Sequence, residues 1–246
     1  NNEWRCFKAL SDYYEENKKY EKALDWAKKG YVQFPGNYIL AYQLSKSLLI
    51  SGKYNEALNI LTQTNILPNE GASYGRTTYR QACILDALNN FHINKSKNAL
   101  SRIKMAREWP ENLGVGKPYV TDERIEDYLE SVYWIKNRNL ATAKVLEESV
   151  ISTTLSAKRA TSGDYLGAIL LKKAGRENEA INFLNHQIEK EPENLIARWN
   201  LAKYNGNNAE ANEMLIKIKN EFGGTLFSPR ISDTGFALVL DISELN

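Results

Sequence analysis

The 246-residue chain has no excess of either charge: 32 lysines and arginines meet 30 aspartates and glutamates, for a formal net charge of +2. Acidic and basic residues are also interleaved, so no basic stripe points to nucleic acid and no polybasic patch points to a membrane surface. Long apolar runs are absent as well. With no stretch of about 18 apolar residues, a membrane-crossing helix is not expected. The two cysteines, Cys6 and Cys83, stand far apart and form no CxxC pair. Both fall in helical patterns, where a free thiol acts as a small core residue, so a disulfide framework is not expected and cysteine usage names no compartment. The two histidines, His92 and His186, have no second histidine or cysteine at metal-ligand spacing, so neither a metal nor a cofactor is expected. No GxSxG, HExxH or cysteine–histidine arrangement supplies a nucleophile. The carboxylates of "ERIED" at 123–127 and "EE" at 147–148 read as solvated helix faces. The chain is therefore expected not to be an enzyme. It opens on Asn1 without a signal-peptide pattern, so a processed protein or a part of a longer one is expected.

One stretch argues briefly the other way. "WPENLGVGKPY" at 109–119 carries two glycines and a lysine in the manner of a phosphate loop. Such a loop needs GxxxxGK[ST] between a strand and a helix. Here Gly114 and Gly116 follow a helical pattern, and Lys117 precedes Pro118, which has no N–H to offer. The Rossmann spacing fails too, because Tyr119 occupies its third glycine position. The stretch is read as a boundary turn with an insertion.

What is present is a repeat. "YEKALDWAKKGYVQFPGN" at 20–37 and "YNEALNILTQTNILPNE" at 54–70 align Tyr20 with Tyr54, Ala23 with Ala57 and Leu24 with Leu58, each 34 residues apart. That is the period of a helix–turn–helix tetratricopeptide repeat. Similar second-helix segments begin at 95, 139 and 177. Pro35, Pro68, Pro110 and Pro192 close repeats, since proline cannot continue a helix. Small residues recur where paired helices approach: Ser11, Ser45, Ala82, Ser131, Ala168 and Ala202. Gly52 and Gly175 mark turns inside their repeats. The reading is an all-α, right-handed superhelix, a single solenoid over residues 1–246. Its six hairpins are placed at 4–37, 38–71, 73–112, 122–153, 161–194 and 195–222, with a capping segment at 223–246. Repeats three and four are stretched, with extra residues in a long helix near 74–91 and in loops at 66–75 and 110–121. Repeat six has a shortened first helix, as a terminal unit would. Within the cap, "SDTGFALVLDISEL" predicts a short amphipathic helix begun by Ser232 or Asp233. A strand through Val239, Leu240 and Ile242 is the alternative.

In stacked hairpins the first helices line a concave groove. Aligned on the small residues, Lys8, Tyr42, Tyr79, Tyr128, Tyr165 and Trp199 take one inward position, five of them aromatic. Such rings offer contact area at low entropic cost, yet at this position they also pack between neighbouring first helices. Both roles stand open. Gln43, Lys46, Arg76, Asp86 and Lys203 neighbour them. Arg76 and Arg80, flanking Tyr79, suit a carboxylate or phosphate, or alternatively a pairing with Glu70 or Asp86.

Two segments, "ILPNEGASYGRTTYRQA" at 66–82 and "AREWPENLGVGKPYVTDERIEDYLE" at 106–130, go beyond a generic repeat. With the repeat around them they resemble, over about residues 4–150, the C-terminal tetratricopeptide region of large bacterial proteins that carry the DUF5107 domain of unknown function. In that family the repeats follow a β-rich domain similar to carbohydrate-active proteins. The resemblance implies a helical accessory region of a soluble bacterial protein and carries over no catalytic residue. The two loops are expected on one rim, with Glu70, Arg76 and Lys117 docking a partner or the β-rich domain. The function expected is a non-catalytic scaffold that binds a protein or peptide by groove or rim, without nucleic acid or membrane. The alternative is an accessory region that contacts a glycan through the aromatic ladder.

Overall fold

A computed structural model describes residues 3–68, 73–222, 225–228 and 231–244. The described residues form thirteen α-helices and one short 3-10 turn, with no strand among them. By contact the chain divides into two compact units, Asn1–Thr121 and Asp122–Asn246. The first holds helices α1 (Trp4–Glu16), α2 (Tyr20–Gln33), α3 (Tyr38–Ile50), α4 (Tyr54–Gln63), α5 (Tyr74–His92) and α6 (Ser96–Ala106), and the 3-10 turn Glu111–Leu113. The second holds α7 (Arg124–Lys136), α8 (Leu140–Leu155), α9 (Gly163–Lys173), α10 (Glu177–Lys190), α11 (Leu195–Tyr204), α12 (Asn208–Glu221) and α13 (Phe236–Ser243).

The helices pack in consecutive pairs. Each unit contains three hairpins, and each second helix also touches the first helix of the next hairpin in its unit. First helices touch one another too: α1 with α3 and α3 with α5 in one unit, α7 with α9 and α9 with α11 in the other. This two-layer pattern lets each helix bury its apolar stripe against neighbours that are close in sequence.

All six hairpins turn in the same way. Two residues after each first helix ends, one residue is left-handed: Lys18, Gly52, Asn94, Arg138, Gly175 and Gly206, with φ between 57° and 76°. The next amide then donates back to a carbonyl five residues earlier, from Lys19 N to Tyr14 O through to Asn207 N to Ala202 O, at 2.8–2.9 Å in every case. This is the Schellman closure, which satisfies carbonyls that the helix end leaves without partners. Counted from that residue, alanine stands five positions on in every hairpin: Ala23, Ala57, Ala99, Ala143, Ala180 and Ala211, none more than 3% exposed. A methyl group at that point lets the two helices of a hairpin close. The six small first-helix residues, Ser11, Ser45, Ala82, Ser131, Ala168 and Ala202, are buried as well.

The turns between hairpins are of two kinds. At 35–37 and 192–194 a proline stops one helix, and the asparagine two positions on caps the next. Asn37 Oδ1 accepts from the amides of Ile39 and Leu40, and Asn194 Oδ1 from those of Ile196 and Ala197. The third such stretch, 110–112, behaves differently. Asn112 caps nothing; its Nδ2 donates to the carbonyls of Leu61 and Thr64, while its own carbonyl accepts from Ile66 N at 2.8 Å. The stretch folds back and clips the end of α4.

Candidate interaction surface

Unit two gives a direct answer about the aromatic row. Tyr128, Tyr165 and Trp199, from α7, α9 and α11, are all buried, Trp199 to 1% exposure. Tyr165 meets Trp199 edge-on at 5.4 Å, and Trp199 meets Phe236 of α13 edge-on at 5.0 Å. Burial beside Tyr128 pushes the Tyr165 hydroxyl up to about 12. These rings pack against neighbouring helices.

The tail packs against one end of this row, where Phe236 meets Trp199. α13 packs on α9. Gly235, at its start, lies against Ile125 of α7, and Lys203 of α11 pairs with Glu244 at 3.0 Å. Asp233 Oδ2 accepts from Ser162 N at 2.6 Å, at the entry to α9. The segment thus touches the first helices of all three hairpins in its unit. The helix expected at 232–245 is therefore present, but it begins at Phe236 with Gly235 at the cap position, and only a narrow strip at Leu240 and Asp241 reaches solvent. Phe236, Ala237, Leu238, Val239 and Ile242 are all buried. Asp233 accepts from the amide of Gly235 instead of capping the first turn. A cap over the last hairpin alone would need only one apolar stripe; a segment laid across three helices is enclosed on several sides.

A polar node ties α7 to α8 and to the start of α9. Arg124 of α7 donates to Asp164 Oδ1 at 2.6 Å, to Thr154 Oγ1 at 3.2 Å and to Thr161 Oγ1 at 2.6 Å, and it also pairs with Asp122. Gly163 and Gly167 make room for it. A β-carbon on Gly163 would come within 2.7 Å of the guanidinium carbon, and one on Gly167 would run into Thr154. Burial pushes the Asp164 carboxyl up to about 6 against the pull of Arg124. Nothing in the spacing of these residues announced the node; two glycines four residues apart, Gly163 and Gly167, on either side of Asp164 and Tyr165 were the available hint.

In unit one the expected row is broken. Lys8 pairs with Asp12 within α1. Gln43 donates to Ser11 and Asp12, and Lys46 reaches the buried Glu15 at 2.6 Å. The α1–α3 junction is thus a polar network, and burial raises the Glu15 carboxyl above its ordinary range. Tyr42 is half-buried against the exposed Tyr74, with ring centroids 6.2 Å apart. Tyr79 instead turns toward the segment after α6, where its hydroxyl meets Glu108. Arg76 goes with it: Nη2 donates to Ala106 O at 2.6 Å, and the guanidinium lies over Trp109, 4.5 Å from the ring centroid. Asp86, an anticipated partner for Arg76 or Arg80, pairs with Arg102 at 2.6 Å. Arg80 is half-buried. Of the cysteines, Cys83 is buried beside Tyr79, but Cys6 is exposed, contrary to its expected core position; neither forms a disulfide.

The two long loops do meet. Ile66 and Pro68 lie against Gly114, where a β-carbon would come within 2.7 Å of Ile66 O. Lys117 is exposed beyond that contact, and Glu70 lies outside the described residues. Among the described residues, no three His, Cys, Asp or Glu side chains gather where they could hold a metal ion. No helix of the described residues is long and apolar enough to cross a membrane. No protein-family model and no curated protein sequence matches the chain.

Proposed function

We propose that the protein is a non-catalytic interaction scaffold of tetratricopeptide type, whose hairpins wind as a right-handed superhelix and whose first-helix face takes up an apolar helix. The observation that carries this reading is α13 on the first helices of unit two: Phe236 stands against Trp199, and Asp233 and Glu244 are bound at either end. The face holds a helix from its own chain by the contacts a partner's helix would use. The partner is a protein or peptide, and by the family resemblance a β-rich domain of the same polypeptide is one source for it. The glycan reading draws less support, because the rings it relies on are buried in unit two.

The test uses two components. A chain ending at Phe222 is mixed with a fluorescent peptide of residues 231–246. The reading expects saturable one-to-one binding that a Phe236→Asp peptide loses. A truncated chain that keeps its helical circular dichroism but binds no peptide would falsify it. If truncation unfolds unit two, the full chain carrying Phe236→Asp serves as the receptor, and the same outcomes apply.

A further inference from the structure

Away from that face, a cavity of about 590 Å³ opens in unit one where α4, α5 and α6 meet. Its size falls within the range of small-molecule sites, roughly 300–1,000 Å³. Its lining does not resemble most of them. Ile93 is the single apolar side chain; the rest are asparagines, Ser101, Lys95, Asp86 and Arg102.

The floor is fixed. Asp86 is buried, and its two oxygens accept from Arg102 Nε at 2.6 Å and Asn55 Nδ2 at 3.2 Å. Arg102 Nη2 closes the triangle on Asn55 Oδ1. Its remaining nitrogen, Nη1, donates only to the sulfur of Met105, a weak acceptor. Asn90 is anchored by its Nδ2 to Asp86 O, leaving its amide oxygen available. On the walls, the side chains of Asn89, Asn98, Ser101 and Lys95 have no hydrogen-bond partner among the described residues. Asparagine is also a poor helix former, so Asn89, Asn90 and Asn98 inside α5 and α6 are not there for the helices' sake.

We propose that this cavity binds a small neutral polyhydroxylated molecule, about one to two sugar rings in size. The chemistry selects it. A primary amide presents two donors and an acceptor, which matches hydroxyls that both donate and accept. An apolar ligand would find one side chain to touch. A divalent cation would find one carboxylate, already paired with an arginine. A simple anion would face that same carboxylate across the floor. The proposal is independent of the helix-binding face, which lies in the other unit.

The test uses the full chain, ¹⁵N-labelled, with glucose, maltose, myo-inositol and inorganic phosphate added separately. At least one polyol is expected to shift the side-chain NH₂ signals of Asn55, Asn89 and Asn98, with a dissociation constant of about 1 mM or tighter. Asn89→Ala with Asn98→Ala changes only exposed residues and should weaken that binding at least about fivefold per lost hydrogen bond. No shift with any polyol overturns the proposal. So does a response to phosphate alone, and so does binding that the double variant leaves intact.

Discussion

Among the described residues, three that bear side chains hold a left-handed conformation, Lys18, Asn94 and Arg138. Three hairpins put glycine at that point and three do not, although the closing hydrogen bond is the same in all six. A left-handed L-residue is strained by roughly 1–2 kcal/mol, with asparagine the most tolerant. Glycine removes the strain but adds freedom to the unfolded chain, about 0.5–1 kcal/mol the other way. Arg138→Gly should therefore raise stability by about 0.5–1 kcal/mol, Asn94→Gly by less, and Gly52→Ala should lower it by about 1 kcal/mol. Chemical denaturation of the three variants checks the order. A second residue-scale prediction concerns Asp164. Its folded-state pKa is raised, so it binds its proton more tightly in the native state. The stability it contributes is complete below its unfolded value near 4 and is lost as pH rises through about 6. Asp164→Asn fixes the neutral form. The stability of the wild type relative to this variant should fall between pH 4 and 6.5, by on the order of 2 kcal/mol. A difference that stays flat across that range would show that Arg124 holds the carboxyl at its ordinary value.

Helices and turns were legible to different depths. An alanine five positions past the left-handed turn residue and a small residue on the first helix are local requirements of a hairpin, and each hairpin meets them within its own residues. Hence the six paired helices could be read directly. What could not be read was how a segment behaves when its partner is remote. "PEN" is a capping turn at 192–194 but a clip at 110–112, because there the end of α4 offers Asn112 the carbonyls of Leu61 and Thr64 before a helix can start. The width of the tail's buried side was not legible, since sequence alone does not tell that it would meet α7, α9 and α11. Tyr79 left the aromatic row because it stands 15 residues before its left-handed turn residue, where Lys8, Tyr42, Tyr128 and Tyr165 stand 10 before theirs, and the 106–109 segment gave its hydroxyl and Arg76 closer partners. The two glycines of the suspected phosphate loop now separate by role. Gly114 has φ 73° and its α-carbon faces Ile66 O, whereas a β-carbon on Gly116 would meet nothing within 4 Å. Gly114→Ala should destabilise by about 1–3 kcal/mol, from conformation and collision together. Gly116→Ala should be neutral or slightly stabilising. Thermal unfolding of the pair separates backbone need from loop composition.

At the scale of the whole chain, two blocks of three hairpins each close their own core, and one thiol lets them be watched apart. Both cysteines belong to unit one. Cys83 is fully buried on α5, and burial pushes its thiol up to about 12, so at pH 8 almost none is thiolate and reagent cannot reach it. Cys6 is exposed and should react at once. Reaction of Cys83 therefore requires opening of α5 and its neighbours, which makes its rate in denaturant a measure of unit one's stability alone. The matching lesion for unit two is Phe236→Ala. It leaves a cavity against Trp199 where the ring now sits, and a buried phenylalanine cut to alanine typically loses about 3–5 kcal/mol. If each unit is its own cooperative block, that substitution shifts the part of the helical signal belonging to unit two to lower denaturant. Cys83 protection should then keep its wild-type midpoint to within about 0.5 kcal/mol, as distant independent sites do. A Cys83 midpoint that falls in step with the helical signal would mean that the six hairpins unfold as one body.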